Sequence, residues 1–519
     1  MKKISVKHTF IMLQLLLLFV FSIILSSTPV SFQNFNGTNK EFNIKLSTAN
    51  FSNISVLSDG FSGIYWNDAT SFSPAIAVDS SDAVHVVWDD HTDGIWGVDR
   101  EIMYAKYTNA TGWSNATVIS DGFNGIYWND GTSSSPAIAV DSSDAVHVVW
   151  YDTTNGIWGT DLEVMYVKYT TTTGWSNATV ISDGFNGIYW NDGTSFRPAI
   201  GIDSSDAVHV VWSDYTDGIW GTDIEIMYVK YTTTTGWSNA TVISDGFNGI
   251  YWNDGNSYYP AIAVDSSDVV HVVWSDSTDG VWGVDTEVMY VKYTTATGWS
   301  NTTVISDGFS GIYWNDGNSN FPAIAVDNSD VVHVVWEDHT DGVWGTDGEI
   351  MYAKYTTATD WSNATVISDG INDTYWNDDN SYDPAIAVDN SDVVHVVWED
   401  HTDGVWGTDR EIMYAEYTSP LGWSTSKVIS DGYGGVYWND GDSFNPAIAV
   451  GIVKVHIVWD DDTNGMWGTD NEIFFTSRSI PATLALSSTT IPGYNIFLVV
   501  FGVCAVTYLF IRRKQKKIK

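Results

Sequence analysis

Cysteine is almost missing from this chain. Cys504 is the only one, so no disulfide can form within it. Stability has to come from packing. Basic residues are scarce too. Residues 51–480 hold 11 Lys and Arg against 63 Asp and Glu, a net charge of −52, and Glu41 is the only acid outside that span. Such a field repels nucleic acid and anionic lipid and favours cations, which sets the first two aside as partners of the acidic region. Helical periodicity is missing outside the two termini. Proline is sparse, 11 residues in 519, but seven of them recur at one period.

Those seven are Pro74, Pro136, Pro198, Pro260, Pro322, Pro384 and Pro446, each 62 residues after the last apart from sequence identity around them. A fixed period of this size means one supersecondary unit used many times, folding as a single body. In the unit beginning at Pro136, residues 137–140 are short and apolar and read as a first strand. Asp141 to Asp144 is a turn, because Asp and Ser bond their own backbone. Residues 145–150 are rich in β-branched side chains and form a second strand. A long loop to Leu162 precedes a third strand, Glu163 to Tyr169. A short turn then leads to a fourth, Trp175 to Ser182, and a second long loop runs to Arg197.

Four antiparallel strands per unit predict an all-β fold, a seven-bladed β-propeller. The chain ends support closure. Residues 51–60 match residues 113–122, a fourth strand with no partners before it, whereas the last unit, Pro446 to Arg478, has three strands and no fourth. Joined, they complete a ring with no lone edge. The seventh unit departs from the others at Gly451 to Val455, where the turn is one residue shorter.

The termini read as targeting segments. Lys2, Lys3 and Lys7, an apolar run from Phe10 to Leu25, and Ser26 and Ser27 have the layout of a signal peptide over residues 1–28. Residues 29–50 are a polar linker, 51–480 the propeller and 481–490 a short stalk. Residues 491–511 are long and apolar enough for a transmembrane helix, and the basic tail 512–519 places the repeats outside the cell. The expected location is the cell surface, as a single-pass protein with an exterior N-terminal domain.

The repeated segments Pro136–Asp141, Val146–Trp150, Glu163–Tyr166 and Thr173–Ser176 resemble the sialidase-like propeller units called Asp-box or BNR repeats. The box itself is degenerate: Thr170 to Trp175 keeps Thr, Gly and Trp but has no Asp. The resemblance implies a β-propeller fold and raises a glycosidase activity, which in that family uses three arginines and a Tyr–Glu pair. Phe196-Arg197-Pro198 resembles the family's first-arginine motif, making Arg197 the one catalytic candidate. Against catalysis, near-identical units are expected to place the same groups seven times around an axis, an arrangement suited to multivalent binding. The C-terminal end, from Ile491 onward, also resembles archaeal sorting tails.

Both long loops emerge on one rim, and each carries a Trp. One set is Trp66, Trp128, Trp190, Trp252, Trp314, Trp376 and Trp438; the other is Trp96, Trp158, Trp220, Trp282, Trp344, Trp406 and Trp467. Flat aromatic faces with neighbouring Asn and Asp suit a sugar ring, and they equally suit packing between loops. The loop acids Asp90, Asp93, Asp99 and Glu101, with Asp152, Asn155, Asp161 and Glu163, and Asp461, Asn464, Asp470 and Glu472, offer hard oxygen donors for calcium. The alternative is that they cap turns. Asn53, Asn115, Asn177, Asn239, Asn301 and Asn363 begin glycosylation sequons. Seven second-strand histidines, His85 to His456, are expected to be hydrogen-bonded core residues. The reading is a monomeric binding or adhesion module for glycans or cell-envelope proteins; a sialidase-like hydrolase and a structural envelope protein are the alternatives.

Overall fold

The computed structural model describes residues 42–45, 50–58, 69–91, 99–121, 131–155, 160–183, 193–215, 221–245, 255–278, 284–307, 317–340, 346–369, 379–401, 407–431, 441–464, 469–480 and 483–486. The signal peptide, the transmembrane helix, the basic tail, Asp93 and all fourteen loop tryptophans named above lie outside the described residues. Among the described residues no helix is long and apolar enough to cross a membrane.

Seven antiparallel sheets follow one another at the repeat period. We number the blades 1–7 by their inner strands, Ser71–Val78, Ser133–Val140, Ser195–Ile202, Ser257–Val264, Ser319–Val326, Ser381–Val388 and Ser443–Val450. These strands contact one another from blade to blade and include the step from blade 7 back to blade 1, so they line the axis of a closed ring. In blade 2 the second strand is Val146–Asp152 and the third Glu163–Thr170. The outer strand is broken into Gly174–Trp175 and Thr179–Val180, both paired with the third.

The inner strand starts four residues earlier than the apolar pattern suggests. Pro136 has no N–H to offer the ladder, and the register shifts between Ser134 and Ala137. Pairing resumes at Ser134↔Tyr151 and Ser133↔Asp152. The bulge residue before each proline is held at φ between 44° and 54°, a left-handed conformation that non-glycine residues seldom adopt.

Side chains of the second strand are buried on both faces, as the period of two requires. Val146, Val148 and Trp150 pack with Val87, Ile102 and Tyr104 of blade 1, while Val149 turns to Val208, Val210 and Trp212 of blade 3. Trp175 meets Tyr104 of the preceding blade edge-on at 4.9 Å. His147 bonds Tyr166 Oη at 2.8 Å and Asp141 Oδ2 at 3.1 Å, so the second-strand histidines are core residues as expected. Burial lowers the His147 imidazole below its usual range, keeping it neutral.

The Asp-Ser-Ser-Asp turn also works across blades. Ser80 N–H donates to Asp144 of the next unit at 2.9 Å, Ser142 to Asp206 at 2.8 Å and Ser204 to Asp268 at 2.8 Å. At the seam, Ile452 N–H donates to Asp82. Closure on the outside is as the sequence predicts: Ser55–Val56 pairs with the third strand of blade 7, Glu472–Ser479, with Val56 opposite Phe474. Leu57 is buried with Val458, Ile473 and Phe475, against Val84, Val86 and Trp88 of blade 1. A separate unit contains a two-stranded antiparallel sheet, Phe42–Lys45 with Thr483–Leu486, inside the segments read as linker and stalk.

Candidate functional site

Laid over one another at the 62-residue period, the seven units match or exchange like for like at most positions. A few positions change chemical type from unit to unit. The residue before the proline is Ser73, Ser135, Arg197, Tyr259, Phe321, Asp383 and Asn445 in turn. The residue after the buried second-strand Trp is Asp89, Tyr151, Ser213, Ser275, Glu337, Glu399 and Asp460. Arg100 and Arg410 occupy a third such position, just before the third strand, and His91, His339 and His401 a fourth.

The fold brings these positions together. The first lies on the left-handed bulge of the inner strand. The second pairs across the ladder with the bulge's neighbour, as Phe72↔Asp89, Tyr382↔Glu399 and Phe444↔Asp460. Because the inner strands surround the axis, the non-repeating residues gather at one axial end. This corrects the expectation that equal units give an evenly repeated surface. The repeat is maintained in the scaffold and abandoned at the centre.

The resulting site is lopsided. Carboxyls occupy blades 5, 6, 7 and 1: Glu337, Asp383, Glu399, Asp460 and Asp89. Two of them accept a backbone N–H from the next blade's bulge, Glu399 from Asn445 at 2.8 Å and Asp460 from Ser73 at 3.3 Å. That bond is a structural duty, since it satisfies the donor that the bulge leaves out of the ladder. It uses one oxygen of each acid. Asp460 Oδ1 also accepts Asn445 Nδ2 at 2.9 Å, while Asp460 Oδ2 and Glu337 Oε2 have no hydrogen-bond partner among the described residues. Burial pushes the Asp460 carboxyl up to about 8, with neighbouring Asp89 adding to the rise. Burial likewise raises Asp89 to about 7, against the pull of Arg100. Burial raises Asp383 and Glu399 above the usual carboxylate range, with the Glu337 charge adding to the rise of Asp383 and the Asp383 charge to that of Glu399.

The arginines stand at the rim of this arc. Arg100 pairs with Asp89 at 3.0 Å, bonds Ser134 Oγ at 3.0 Å and lies over Phe72. Arg410 is 3.6 Å from Glu399 and lies over the Phe444 ring. His339 holds Glu337 at 2.7 Å. Arg197 is exposed and stacks on Tyr259 at 3.9 Å, with Tyr259 and Phe321 in contact at 4.1 Å between ring centroids. On blades 3 and 4 the Ser213 and Ser275 hydroxyls are fully buried and take no partner among the described residues.

The other sequence-derived candidates fall elsewhere. Asp90, Asp152 and Asp461 each accept a second-strand Trp indole N–H and an inner-strand Ser hydroxyl, as Trp150 at 3.1 Å and Ser133 at 2.7 Å do for Asp152. Glu101, Glu163 and Glu472 accept from Ser120, Ser182 and Ser58. Asp99, Asp161 and Asp470 lie just before the third strands, and Asn155 and Asn464 just after the second. Among the described residues no group of three or more His, Cys, Asp or Glu is arranged to hold a metal ion. The six sequon asparagines, Asn53, Asn115, Asn177, Asn239, Asn301 and Asn363, are all exposed. Of the repeat arginines the sequence singles out only Arg197, and the structure pairs Arg100 and Arg410 with acids. Sequence reasoning passed over the acids, although comparing units for positions that refuse to repeat points straight to them.

No protein-family model matches the chain, and no curated protein does. Solved structures do. A polysaccharide lyase of family PL25, an ulvan lyase bound to -[GlcA(1-4)Rha3S]-, matches with a TM-score of 0.51 at 10% identity, over 82% of this chain and 97% of its own. A protein of unknown function from Dyadobacter fermentans DSM 18053 matches at 0.47 and 8%, over 83% and 99%. The NanB sialidase from Streptococcus pneumoniae matches at 0.40 and 11%, over 83% and 70%. The chain folds as a seven-bladed β-propeller. At these identities the likeness is one of fold, and the propeller's chemistry has to be argued from its own residues.

Proposed function

We propose that this propeller is a cell-surface saccharide-binding module whose ligand is seated at the axial end of the ring. The observation that carries the reading is that the bulge residue and the residue after the second-strand Trp, which the fold brings together at that end, vary in chemical type from unit to unit. There the seven copies of one scaffold differ, and the differences bring aromatic rings, hydroxyls and carboxyls together around the axis. Half-buried rings beside hydrogen-bonding groups suit a sugar, which presents both C–H faces and hydroxyls. The ulvan lyase offers a parallel, a propeller of this fold that carries a polysaccharide. The loop tryptophans would extend the seat, and the six exposed sequons are proposed as glycosylation sites. A C-terminal helix holding the protein at the outer face of the membrane belongs to the same proposal.

A glycan array probed with the full-length protein in detergent tests the reading. Saccharide binding that falls at least tenfold in Tyr259→Ala and Asp460→Asn, with thermal stability retained, is the expected outcome. Binding untouched by both changes moves the seat away from the axis. The second reading is a glycosidase. It is favoured by two neighbouring buried carboxyls, Asp89 and Asp460, that burial holds well above the usual carboxylate range, as a general acid requires. Turnover of a fluorogenic sialoside, abolished in Arg197→Ala, is the result that would put catalysis ahead of binding.

Calcium is proposed for the loop acids on a narrower ground. The buried Oε1 atoms of Glu101 and Glu163 accept no hydrogen bond among the described residues. A cation bound there stabilises the folded state by mass action. Chelation is expected to lower the melting temperature, and a melting temperature indifferent to EDTA removes calcium from the account.

A further inference from the structure

We infer that the rim carrying the short turns rests on the bilayer, with Ile452, Val453 and Leu421 against the lipid headgroups, and that the axial site lies toward the rim facing away from the membrane. The inference rests on the C-terminal anchor proposed above and adds the direction in which the ring is held. Strand pairing defines the two rims. In blade 7 the inner strand ends and the second strand begins at one turn, with Val450 opposite Val455, and the third strand ends at the same level, with Lys454 opposite Ser479. The bulge residue Asn445 stands towards the start of the inner strand, Ser443–Val450, and so lies toward the other rim.

The propeller's two chain ends leave side by side on the turn rim. Phe51 bridges Arg478, Ser52 N–H donates to the Ser477 carbonyl at 2.7 Å, and Ser479 closes the third strand. Its partner Lys454 directly follows Ile452 and Val453, which are 58% and 49% exposed. In the other six blades the two exposed turn residues are polar, from Ser80 and Ser81 in blade 1 to Asn390 and Ser391 in blade 6, and an aspartate follows them. The seventh turn has an apolar pair and a lysine instead, at the one point where the chain departs. Leu421 is on the adjacent blade and the same rim. It closes the turn after the third strand of blade 6, donating its N–H to the Thr418 carbonyl at 2.7 Å. Leu421 is 59% exposed and stands where blades 1–5 have Thr111, Thr173, Thr235, Thr297 and Thr359. Among the described residues these three are the large apolar side chains exposed on the turn rim.

Three such side chains are too few to hold a free protein on a membrane. A tethered protein needs only to be oriented, because the anchor already sets a high local concentration of lipid. The stalk and its approach, residues 480–490, reach at most about 40 Å when extended. That length leaves either rim able to face the lipid, so the tether alone does not choose. The apolar patch does, since only one orientation removes it from water. The acidic field of the propeller makes a zwitterionic surface the fitting one.

Fluorescence quenching of the full-length protein in phosphatidylcholine nanodiscs tests this. A nitrobenzoxadiazole probe is attached at the native Cys504 or, with Cys504→Ser, at Val453→Cys, Leu421→Cys or Val284→Cys. Val284 is 83% exposed just before a third strand, on the opposite rim. Lipid spin-labelled on its headgroup is expected to quench the probes at 453 and 421 by at least half and the probe at 284 by less than a tenth. Adding Ile452→Ser and Leu421→Thr to the Val453→Cys protein is expected to cut its quenching at least threefold. Equal quenching on both rims overturns the inference, as does quenching at 453 that those two changes leave intact. Probes at 453 and 421 that escape the lipid, while acyl-chain spin labels quench the probe at Cys504, overturn the orientation and leave the anchor standing; the patch is then covered by the chain's own stalk or a second copy. A Cys504 probe out of reach of acyl-chain spin labels overturns the anchor and the inference together.

Discussion

Excising residues 51–58 leaves a chain that no longer unfolds as one cooperative unit. The segment is remote in sequence from what it touches, yet it supplies the fourth strand of blade 7. Ser55 and Val56 pair with Phe475 and Phe474, and Leu57 N–H bonds the Ile473 carbonyl at 2.8 Å. Ser58 bonds Glu472 and receives Ile473 N–H at 2.7 Å, the same arrangement that Ser120 makes with Glu101 and Ile102 within blade 1. Removing it uncovers an unpaired strand edge and the seam between blades 7 and 1, where Leu57 is 1% exposed. Leu57→Ala by itself is expected to cost about 2–5 kcal/mol, as buried Leu-to-Ala changes do. The full excision costs more and offers an edge for pairing with another chain. Denaturant melts followed by circular dichroism, with light scattering for association, measure both. A single transition at the parent midpoint after excision would falsify the closed ring as the source of stability.

Acidification to pH 4 is expected to unfold the propeller with uptake of several protons, because buried histidines held below their usual range recur in blades 1, 2, 3 and 7. Burial holds His85, His209 and His456 down to about 4, from an ordinary 6.5. The direction of the effect follows. A histidine whose affinity for protons is lower in the folded state than in the unfolded one binds its proton preferentially on unfolding. Its contribution to stability is intact above pH 6.5 and is lost as the pH falls from 6.5 towards 4. A displacement of that size corresponds to about 3 kcal/mol per histidine. Asp79 and Asp203, held low by hydrogen bonds that outweigh the cost of burying them, add loss in the same direction at still lower pH.

His456 isolates the effect. Blade 7 lacks the aspartate of the Asp-Ser-Ser-Asp turn and has Phe475 where the other blades have a tyrosine, so His456 is buried against Phe475 with neither ring nitrogen bonded among the described residues. His456→Phe removes the titrating group without breaking a bond. It should raise stability at pH 5 by about 2 kcal/mol, change little at pH 7.5, and reduce the protons taken up on unfolding by one. Equal effects at both pH values would mean that packing, not protonation, governs the site.

Much of the fold was legible because it is local and repeated. Pro136, the β-branched run Val146 to Val149 and the turn Asp141–Asp144 each state their structure within a few residues, and seven recurrences remove the ambiguity of any one. Closure was legible because residues 51–58 and Glu472–Ser479 are complementary halves of a unit. The outer strand was less so. Trp175 to Ser182 reads as one strand, but its middle leaves the ladder, and only two short pieces pair.

The sequence by itself determined the number of blades, the order of strands in each, the joining of the two ends and the structural role of the histidines, since all of these follow from alternation, turn chemistry and the fixed period. The tertiary structure alone decided what sits on the axis. Asp460 meets Ser73 and Glu399 meets Asn445 only because the ring brings the bulge of one blade against the second strand of its neighbour. No local rule of the chain encodes that meeting. It depends on how tightly seven blades pack around a centre, and there the copies cease to be copies.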